Sequence, residues 1–213
     1  MKNKWLLGVL VTAGILGWPE IGRGLLGESG PPNARIQVQW VDDTLVAVGA
    51  SAQTAPFSLG VDEQVREVRS RGSVAAVLTS DRFLAISETA ADWLETPFAL
   101  NEGDEGRLVL SENMVLVDTQ DRVLAFDGVA NRMIAYDLPA GERVFERAAD
   151  LNVLVFATEY RAAGLAAGGD WETVDFAVSE IFRGLNADAD RATVQTSTRR
   201  LTFSAAAGGW STP

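Results

Sequence analysis

A short phrase that pairs a threonine with an arginine occurs four times in the chain. Its copies are separated by steps of 40, 39 and 38 residues: TSDRFLAI from Thr79, TQDRVLAF from Thr119, TEYRAAGL from Thr158 and TSTRRLTF from Thr196. A guanidinium carries a rigid fork of donors that binds carboxylates or phosphates through two hydrogen bonds at once. If the copies fall on one face, their arginines would form an anion-binding ring: Arg82, Arg122, Arg161 and Arg199.

A structural role for the same residues is the interpretation that we favour. Residues that shape a turn must recur in every repeat, whereas binding residues usually differ between repeats. Each threonine would then end one strand and each arginine would begin the next, with a tight two-residue turn between them. The arginine stem would cover apolar surface, and its charge would lie in water or pair with a neighbouring acid.

Three tryptophans follow the repeated threonine by 13 or 14 residues and offer a different chemistry. Trp93, Trp171 and Trp210 occupy this position, and Met133 replaces them in the remaining copy. One aromatic face per repeat is the pattern of a multivalent sugar-binding protein. The alternative is that each indole packs between neighbouring repeats, and Met133 fits packing better than sugar stacking.

The absence of cysteine and histidine excludes several classes of site. Disulfides, zinc sites built from these residues, and Ser–His–Asp or Cys–His nucleophilic centres are not available to this chain. Acidic clusters could attract cations, but none completes a calcium-loop pattern, so we expect solvated loops and predict neither metal nor cofactor. The clusters are Asp42-Asp43, Glu102 with Asp104-Glu105, and Asp188 with Asp190. A net charge of −11 makes nucleic acid an unexpected partner.

The elements around the phrase predict a four-stranded repeat. In one unit, Glu105–Ser111 reads as an inner strand, Met114–Thr119 as the second, Arg122–Phe126 as the third and Arg132–Leu138 as the outermost. An earlier degenerate copy covers Ile36–Gly49, with Thr44 where the arginine would stand. A sheet this small cannot bury both of its faces alone, and radial stacking of several sheets does so. The sequence therefore predicts an all-β fold, a β-propeller of about five blades of about 39 residues, with an incomplete first blade.

The repeat pattern resembles the YVTN/NHL and quinoprotein-like class of propeller repeats. The resemblance covers Ala34–Pro213 and consists of a hydrophobic inner strand followed by a hairpin of the type LxV-T-x-x-R-x-L-x-x-F/I. Diagnostic residues are absent, since the chain has neither the Trp-Asp pair of WD40 blades nor the Tyr-Val-Thr-Asn string. The resemblance implies the fold, and it implies no specific function because propellers have many unrelated functions.

The first 26 residues predict a hydrophobic helix that serves as an export signal or membrane anchor. Lys2 and Lys4 precede an uncharged stretch from Trp5 to Trp18. This order directs the rest of the chain to the non-cytoplasmic side, whether the segment is cleaved as a signal or retained as an anchor. A third interpretation is a helix that packs on a partner. Residues 27–33 read as a linker to the propeller domain, residues 34–213. The anchoring side chains are Trp5, Leu6, Leu7, Val9, Leu10, Ile15, Leu16 and Trp18.

Two functions from different classes follow as hypotheses. The first is a non-catalytic interaction module, exported and tethered by residues 1–26, that docks on a membrane-associated protein assembly. The second is a lectin-like module that binds carbohydrate through the three tryptophans. A carboxylate-only glycoside hydrolase is the enzymatic alternative, but no pair of acids in the repeat indicates it. We therefore expect no enzymatic activity.

Overall fold

A computed structural model describes residues 33–49, 56–100, 102 and 106–212 of the chain. Within these ranges the chain forms strands, turns and loops, and the strands make five antiparallel sheets. The first sheet has three strands and each of the others has four. The all-β class is confirmed for these residues, and the five sheets are consistent with the predicted number of about five blades. The predicted helix and anchor, residues 1–26, lie outside the described residues, and so does the linker except for Asn33.

Strands follow chain order across each sheet, so every blade is a simple up-and-down meander. We call the sheets blades 1 to 5. Blade 1 contains β1 (Ile36–Val41), β2 (Thr44–Gly49) and β3 (Phe57–Ser58), and blade 2 contains β4 (Val65–Arg71), β5 (Val74–Thr79), β6 (Arg82–Ser87) and β7 (Leu94–Pro97). Blade 3 contains β8 (Leu108–Leu110), β9 (Met114–Asp118), β10 (Arg122–Asp127) and β11 (Arg132–Asp137). Blade 4 contains β12 (Glu146–Asp150), β13 (Val153–Ala157), β14 (Arg161–Ala166) and β15 (Trp171–Asp175), and blade 5 contains β16 (Phe182–Asp188), β17 (Arg191–Thr196), β18 (Arg200–Ser204) and β19 (Gly209–Ser211).

The hydrophobic core lies between blades. Four clusters of buried side chains each join one blade to the next, from blades 1 and 2 through to blades 4 and 5. The second and third strands of blades 2 to 4 are buried along almost their whole length, because both faces of these sheets are covered by neighbours. In blade 5 only alternate residues of β17 are buried, so one face of this sheet packs on blade 4 and the other is open and polar.

The blades converge on an axis and do not form a flat stack. Sheets pack about 10 Å apart, so blades 2 and 4 of a flat stack would be separated by about 20 Å. Instead, the Arg71 guanidinium at the end of β4 reaches Asp150 at the end of β12, with Nη2 and Oδ1 3.2 Å apart. The same side chain bonds Glu112 of the intervening blade. The first strand of each of these blades is therefore the inner strand, as a propeller requires.

Blade 1 lacks the inner strand within the described residues. In blades 2, 3 and 4 the residue that follows the outer strand donates its N–H to the turn between the second and third strands. The corresponding bond in blade 1 runs from Leu59 N to Asp43 O, 2.8 Å apart, and Asp43 lies between β1 and β2. Strands β1 to β3 thus correspond to the second, third and outer strands, which agrees with the interpretation of Ile36–Gly49 as a partial copy. In the part of the chain that the structure describes, no hydrophobic cluster joins blade 5 to blade 1.

None of the described residues forms a helix long and apolar enough to cross a membrane.

Candidate interaction face

The two ends of the blades form two different faces. In an up-and-down sheet, the turn between the second and third strands lies at the same end as the loop that leads to the next blade. We call this end the lower face, and the opposite end, where inner strands turn into second strands, the upper face. The repeated threonine and arginine lie on the lower face: β5 ends at Thr79 and β6 begins at Arg82, and in the later blades each lies at or within one residue of the corresponding strand end.

A buried glutamate organises each copy of the phrase. In blade 2 the Glu63 side chain has no exposed surface. Its carboxylate accepts hydrogen bonds from Arg82 Nε at 2.8 Å and Nη2 at 2.5 Å, and from the Thr79 hydroxyl at 2.7 Å. The same hydroxyl accepts the N–H of Arg82, which fixes the turn between β5 and β6. We call this arrangement the Glu–Thr–Arg cluster.

The Glu–Thr–Arg cluster is repeated in all four complete blades, although in blade 4 Arg161 pairs with Glu142 through Nη2, 3.1 Å from Oε1, and its Nε has no hydrogen-bond partner among the described residues. The pKa of Glu63 and that of Glu180 are each lowered to about 2, chiefly by the hydrogen bond from the arginine, which outweighs the opposing effect of burial. Burial acts to raise the pKa of Glu102, but the bonds from Arg122, the Ala99 N–H and the Thr119 hydroxyl outweigh it and the pKa is lowered. The four clusters are Glu63–Thr79–Arg82, Glu102–Thr119–Arg122, Glu142–Thr158–Arg161 and Glu180–Thr196–Arg199.

Each repeated arginine also contacts the outer strand of the preceding blade. Arg122 donates to Pro97 O at 2.8 Å, and Arg199 donates to Asp175 O at 2.9 Å. Arg161 interacts with the Tyr136 side chain, and the Arg82 guanidinium lies 5.1 Å from the centre of the Phe57 ring. The guanidinium groups are thus engaged within the protein, as the structural interpretation expects. Anion binding by these four residues stays a prediction.

The glutamates are the residues that sequence reasoning missed. They precede their threonines by 16 or 17 residues: Glu63, Glu102, Glu142 and Glu180. This regular spacing was the available signal. It falls outside the eight-residue phrase, and Glu102 was interpreted only as part of an acidic cluster.

Fully exposed aliphatic side chains project from the lower face at one position of the repeat. Val61 and Leu100 are each 94% exposed, and Val178 is fully exposed. Each of them stands two residues before the buried glutamate of its loop. The remaining loop has the exposed Ala140 at this position. Three larger apolar side chains on the same face are also more than half exposed: Phe145, Tyr160 and Ile181.

The geometry of the loops exposes these three side chains to solvent, and we call them the tips: Val61, Leu100 and Val178. The glutamate carboxylate accepts the backbone N–H of the residue three positions before it, from Gly60 at 2.7 Å, Ala99 at 2.6 Å and Ala177 at 2.8 Å. Because the loop closes on a buried carboxylate at one end and an outer strand at the other, its middle residue points outward. The tips are therefore rigidly presented and have no packing role within the blade.

The three repeated tryptophans pack against other aromatic rings. Trp93 is 8% exposed and meets Phe57 of blade 1. Trp171 lies edge-on to Tyr136 and Phe156, and Trp210 lies 5.3 Å from Phe203 and donates to Glu172 O of blade 4. Met133 packs on the cluster between blades 2 and 3. These contacts give all four residues a packing role, and carbohydrate binding stays a prediction.

The upper face carries a chain of hydrogen-bonded polar side chains at the turns after the inner strands. Ser73 donates to Asn113 at 2.8 Å, Asn113 donates to Asn152 at 2.6 Å, and Asn152 donates to Asp190 at 2.9 Å. Each step crosses from one blade to the next. Asp190, predicted as part of an acidic cluster, therefore ends this chain of hydrogen bonds, and within the described ranges no three acidic side chains come close enough to hold a metal ion.

Comparisons with known proteins give likeness at the level of fold only. No family model matches the chain, and no curated protein matches it. The membership of the YVTN/NHL and quinoprotein-like class that the resemblance suggested thus stays a prediction.

Among solved structures, human WBSCR16 is similar over 75% of this chain and 56% of its own, at 10% identity and a TM-score of 0.41. Yeast RCC1 (Prp20), solved with Kap60, is similar over 76% of this chain and 52% of its own, at 9% identity and 0.40. Hsv2 of Kluyveromyces lactis is similar over 84% of this chain and 59% of its own, at 11% identity and 0.38. The chain spans little more than half the length of these proteins, and at these scores the assignment of a propeller rests on the topology described above.

Proposed function

We propose that the protein is a non-catalytic interaction module that docks on a partner protein through its lower face. The observation that carries this proposal is the repeated, fully exposed aliphatic side chain at the tip of the loops, at Val61, Leu100 and Val178. Exposure of an aliphatic side chain to water does not stabilise the fold, and several exposed apolar side chains at equivalent positions on one face indicate an interaction surface. The four Glu–Thr–Arg clusters hold these loops in place before any partner arrives, which lowers the entropy cost of binding.

The cellular setting belongs to the same proposal. Residues 1–26 export the chain and tether it to the membrane, so the propeller meets its partner on the non-cytoplasmic side as an accessory subunit of a membrane-associated assembly. This part is supported by the sequence, in which two lysines precede an uncharged stretch. It is tested by protease accessibility of the propeller in intact cells and after membrane disruption.

The docking face is tested by site-specific photo-cross-linking of the full chain. A benzophenone side chain is placed at position 61, 100 or 178, and the chain is extracted in mild detergent after irradiation. The control position is Val129, which is 62% exposed but lies on the upper face, in the turn after β10. We expect one protein adduct from the three lower-face positions and not from the control.

A triple variant, Val61→Ser, Leu100→Ser and Val178→Ser, then separates docking from folding. Exposed substitutions of this kind change stability by less than about 0.5 kcal/mol each, so the fold should persist. The cross-linked partner should bind the purified native chain and should bind the triple variant at least about tenfold more weakly. Undiminished binding, or an adduct with a second copy of the same chain, would contradict the proposal.

A further inference from the structure

Acidic side chains lie beside the aliphatic tips of the lower face. In blades 1 to 4 the turn between the second and third strands bonds the start of the loop that carries a tip: Asp43 O accepts the N–H of Leu59, and Asp81 O accepts that of Phe98. Asp121 O binds Leu138 N, and Tyr160 O binds Phe176 N, in the same way. The tip follows two residues after each of these donors. Every tip therefore stands near an exposed acid of that turn: Asp43, Asp81, Asp121 and Glu159.

The charge of these turns and loops is predominantly negative. The carboxylates of the four clusters are paired with arginine and contribute no net charge. Of the other charged residues in the described turns and loops of this face, six are exposed acids and two are exposed bases: Asp42, Asp43, Asp62, Asp81, Asp121 and Glu159 against Arg107 and Arg143. The whole chain has the same bias, with a net charge of −11.

From this combination we infer that the partner presents a cationic amphipathic segment, whose apolar side chains contact the tips while its lysines or arginines face the adjacent carboxylates. The inference rests on the proposed function and names the chemical class of the partner. Charge complementarity selects this occupant: a positive segment is drawn to the acidic turns, whereas an acidic segment is repelled by them. An anionic lipid surface would meet the same repulsion.

The structure explains why both kinds of contact are needed. Isolated exposed carboxylates attract any cation weakly, and salt screens them over about 10 Å at ordinary ionic strength. Aliphatic tips alone would bind any apolar surface without selecting its charge. Alternation of the two along consecutive blades specifies a segment in which apolar and basic side chains both recur, as on an amphipathic helix.

Model peptides of defined composition test the inference on the full chain. One peptide of about 18 residues carries leucines on one helical face and lysines on the other. A second replaces every lysine with glutamate, and a third keeps the lysines but replaces the leucines with serine. Binding is followed by fluorescence anisotropy at two salt concentrations. We expect the Leu–Lys peptide to bind at least about tenfold more tightly than either of the others, and less tightly at the higher salt concentration.

Variants assign the binding to the lower face. The triple serine variant at positions 61, 100 and 178 should weaken the Leu–Lys peptide by about tenfold, and Asp81→Asn with Asp121→Asn should weaken it by about fivefold and reduce its salt dependence. The matched control is Asp92→Asn with Asp188→Asn, which removes the same charge from exposed positions at the upper face. This control should stay within about twofold of the native chain.

Several outcomes would overturn the inference. These are equal binding of the glutamate or the serine peptide, an equal loss in the Asp92 and Asp188 control, and binding to phosphatidylglycerol vesicles without binding to the Leu–Lys peptide. Photo-adducts at the lower face combined with no Leu–Lys binding would refute the inference and leave the proposed function standing. Absence of both would refute the two together.

Discussion

Replacement of Arg82 by methionine should destabilise the protein far more than the loss of an ordinary surface arginine. Two nitrogens of this guanidinium bond the carboxylate of Glu63, whose side chain has no exposed surface. Removing one partner of a buried pair leaves an uncompensated charge and costs about 3–5 kcal/mol. The Thr79 hydroxyl and the Gly60 N–H continue to bond the carboxylate, so we expect the low end, about 3 kcal/mol.

A second substitution tests the physical reason for this loss. Glu63→Gln removes the buried charge and keeps one acceptor oxygen, whereas the carboxylate accepts from Thr79 through Oε1 and from Gly60 through Oε2. Added to Arg82→Met, it should therefore recover part of the lost stability, because the uncompensated charge is gone, although each change alone destabilises the chain. Urea unfolding of the full chain, followed by tryptophan fluorescence and circular dichroism, measures both effects if the two signals coincide.

The control is Arg69→Met, which breaks the pair of Arg69 with Glu67. The Arg69 side chain is 57% exposed, so its loss should cost less than about 1 kcal/mol. If Arg82→Met costs no more than this control, or if Glu63→Gln adds to its loss, the carboxylate is not held by the guanidinium and the account of the cluster is wrong.

Three further predictions concern packing and pH. Gly164→Ala should lower the free energy of unfolding in urea by about 1–3 kcal/mol, because its Cβ would fall 2.6 Å from a buried phenyl ring of blade 5. The control Gly184→Ala meets nothing within 4 Å and should cost less. Equal losses in the two variants would contradict the prediction. Trp171→Ala should cost about 3 kcal/mol if the indole packs between rings, while a change below about 0.5 kcal/mol would favour a surface role such as sugar stacking. The pKa values of Glu63 and Glu180 are lowered from 4.5 to about 2 in the folded chain. Their contribution to stability is therefore complete above pH 4.5 and is lost as the pH falls from 4.5 towards 2. Urea unfolding midpoints of the native chain that stay constant across this range would disprove the prediction.

The architecture could be predicted from the sequence because the local signals repeat. The turn between Thr119 and Arg122 and the alternation around it place three of the four strands of blade 3 within a residue or two of their observed ends. The inner strand was predicted as Glu105–Ser111 and is observed as Leu108–Leu110. Inner strands are harder to delimit, since those of blades 2 and 5 carry register shifts near their lower ends. Such bulges shift the alternation on which the prediction depends.

The candidate site could be predicted only in part, because its contacts span distant positions. The arginines were recognised as repeated, and pairing with a neighbouring acid was anticipated in general terms. Nothing in a single copy identifies Glu142 as the partner of Arg161, since the two meet only when the loop between blades folds back. The exposed tips carry still less signal. Val61 is an ordinary residue in the sequence, and only its position relative to the buried Glu63 and its counterparts distinguishes it.

The bridge from Arg71 to Asp150 has a consequence for the order in which the chain folds during synthesis. Each blade pairs only neighbouring segments, so blade 2 can form its sheet as soon as it leaves the ribosome. Arg71 must then wait for an acid 79 residues further along the chain before its last bond is made. Until Asp150 is synthesised, Arg71 can pair with Glu112 of blade 3, but its bond to blade 4 is missing. A chain that stops before residue 150 lacks this acid and the clusters that join blades 3, 4 and 5, so it should be more sensitive to protease than the complete chain.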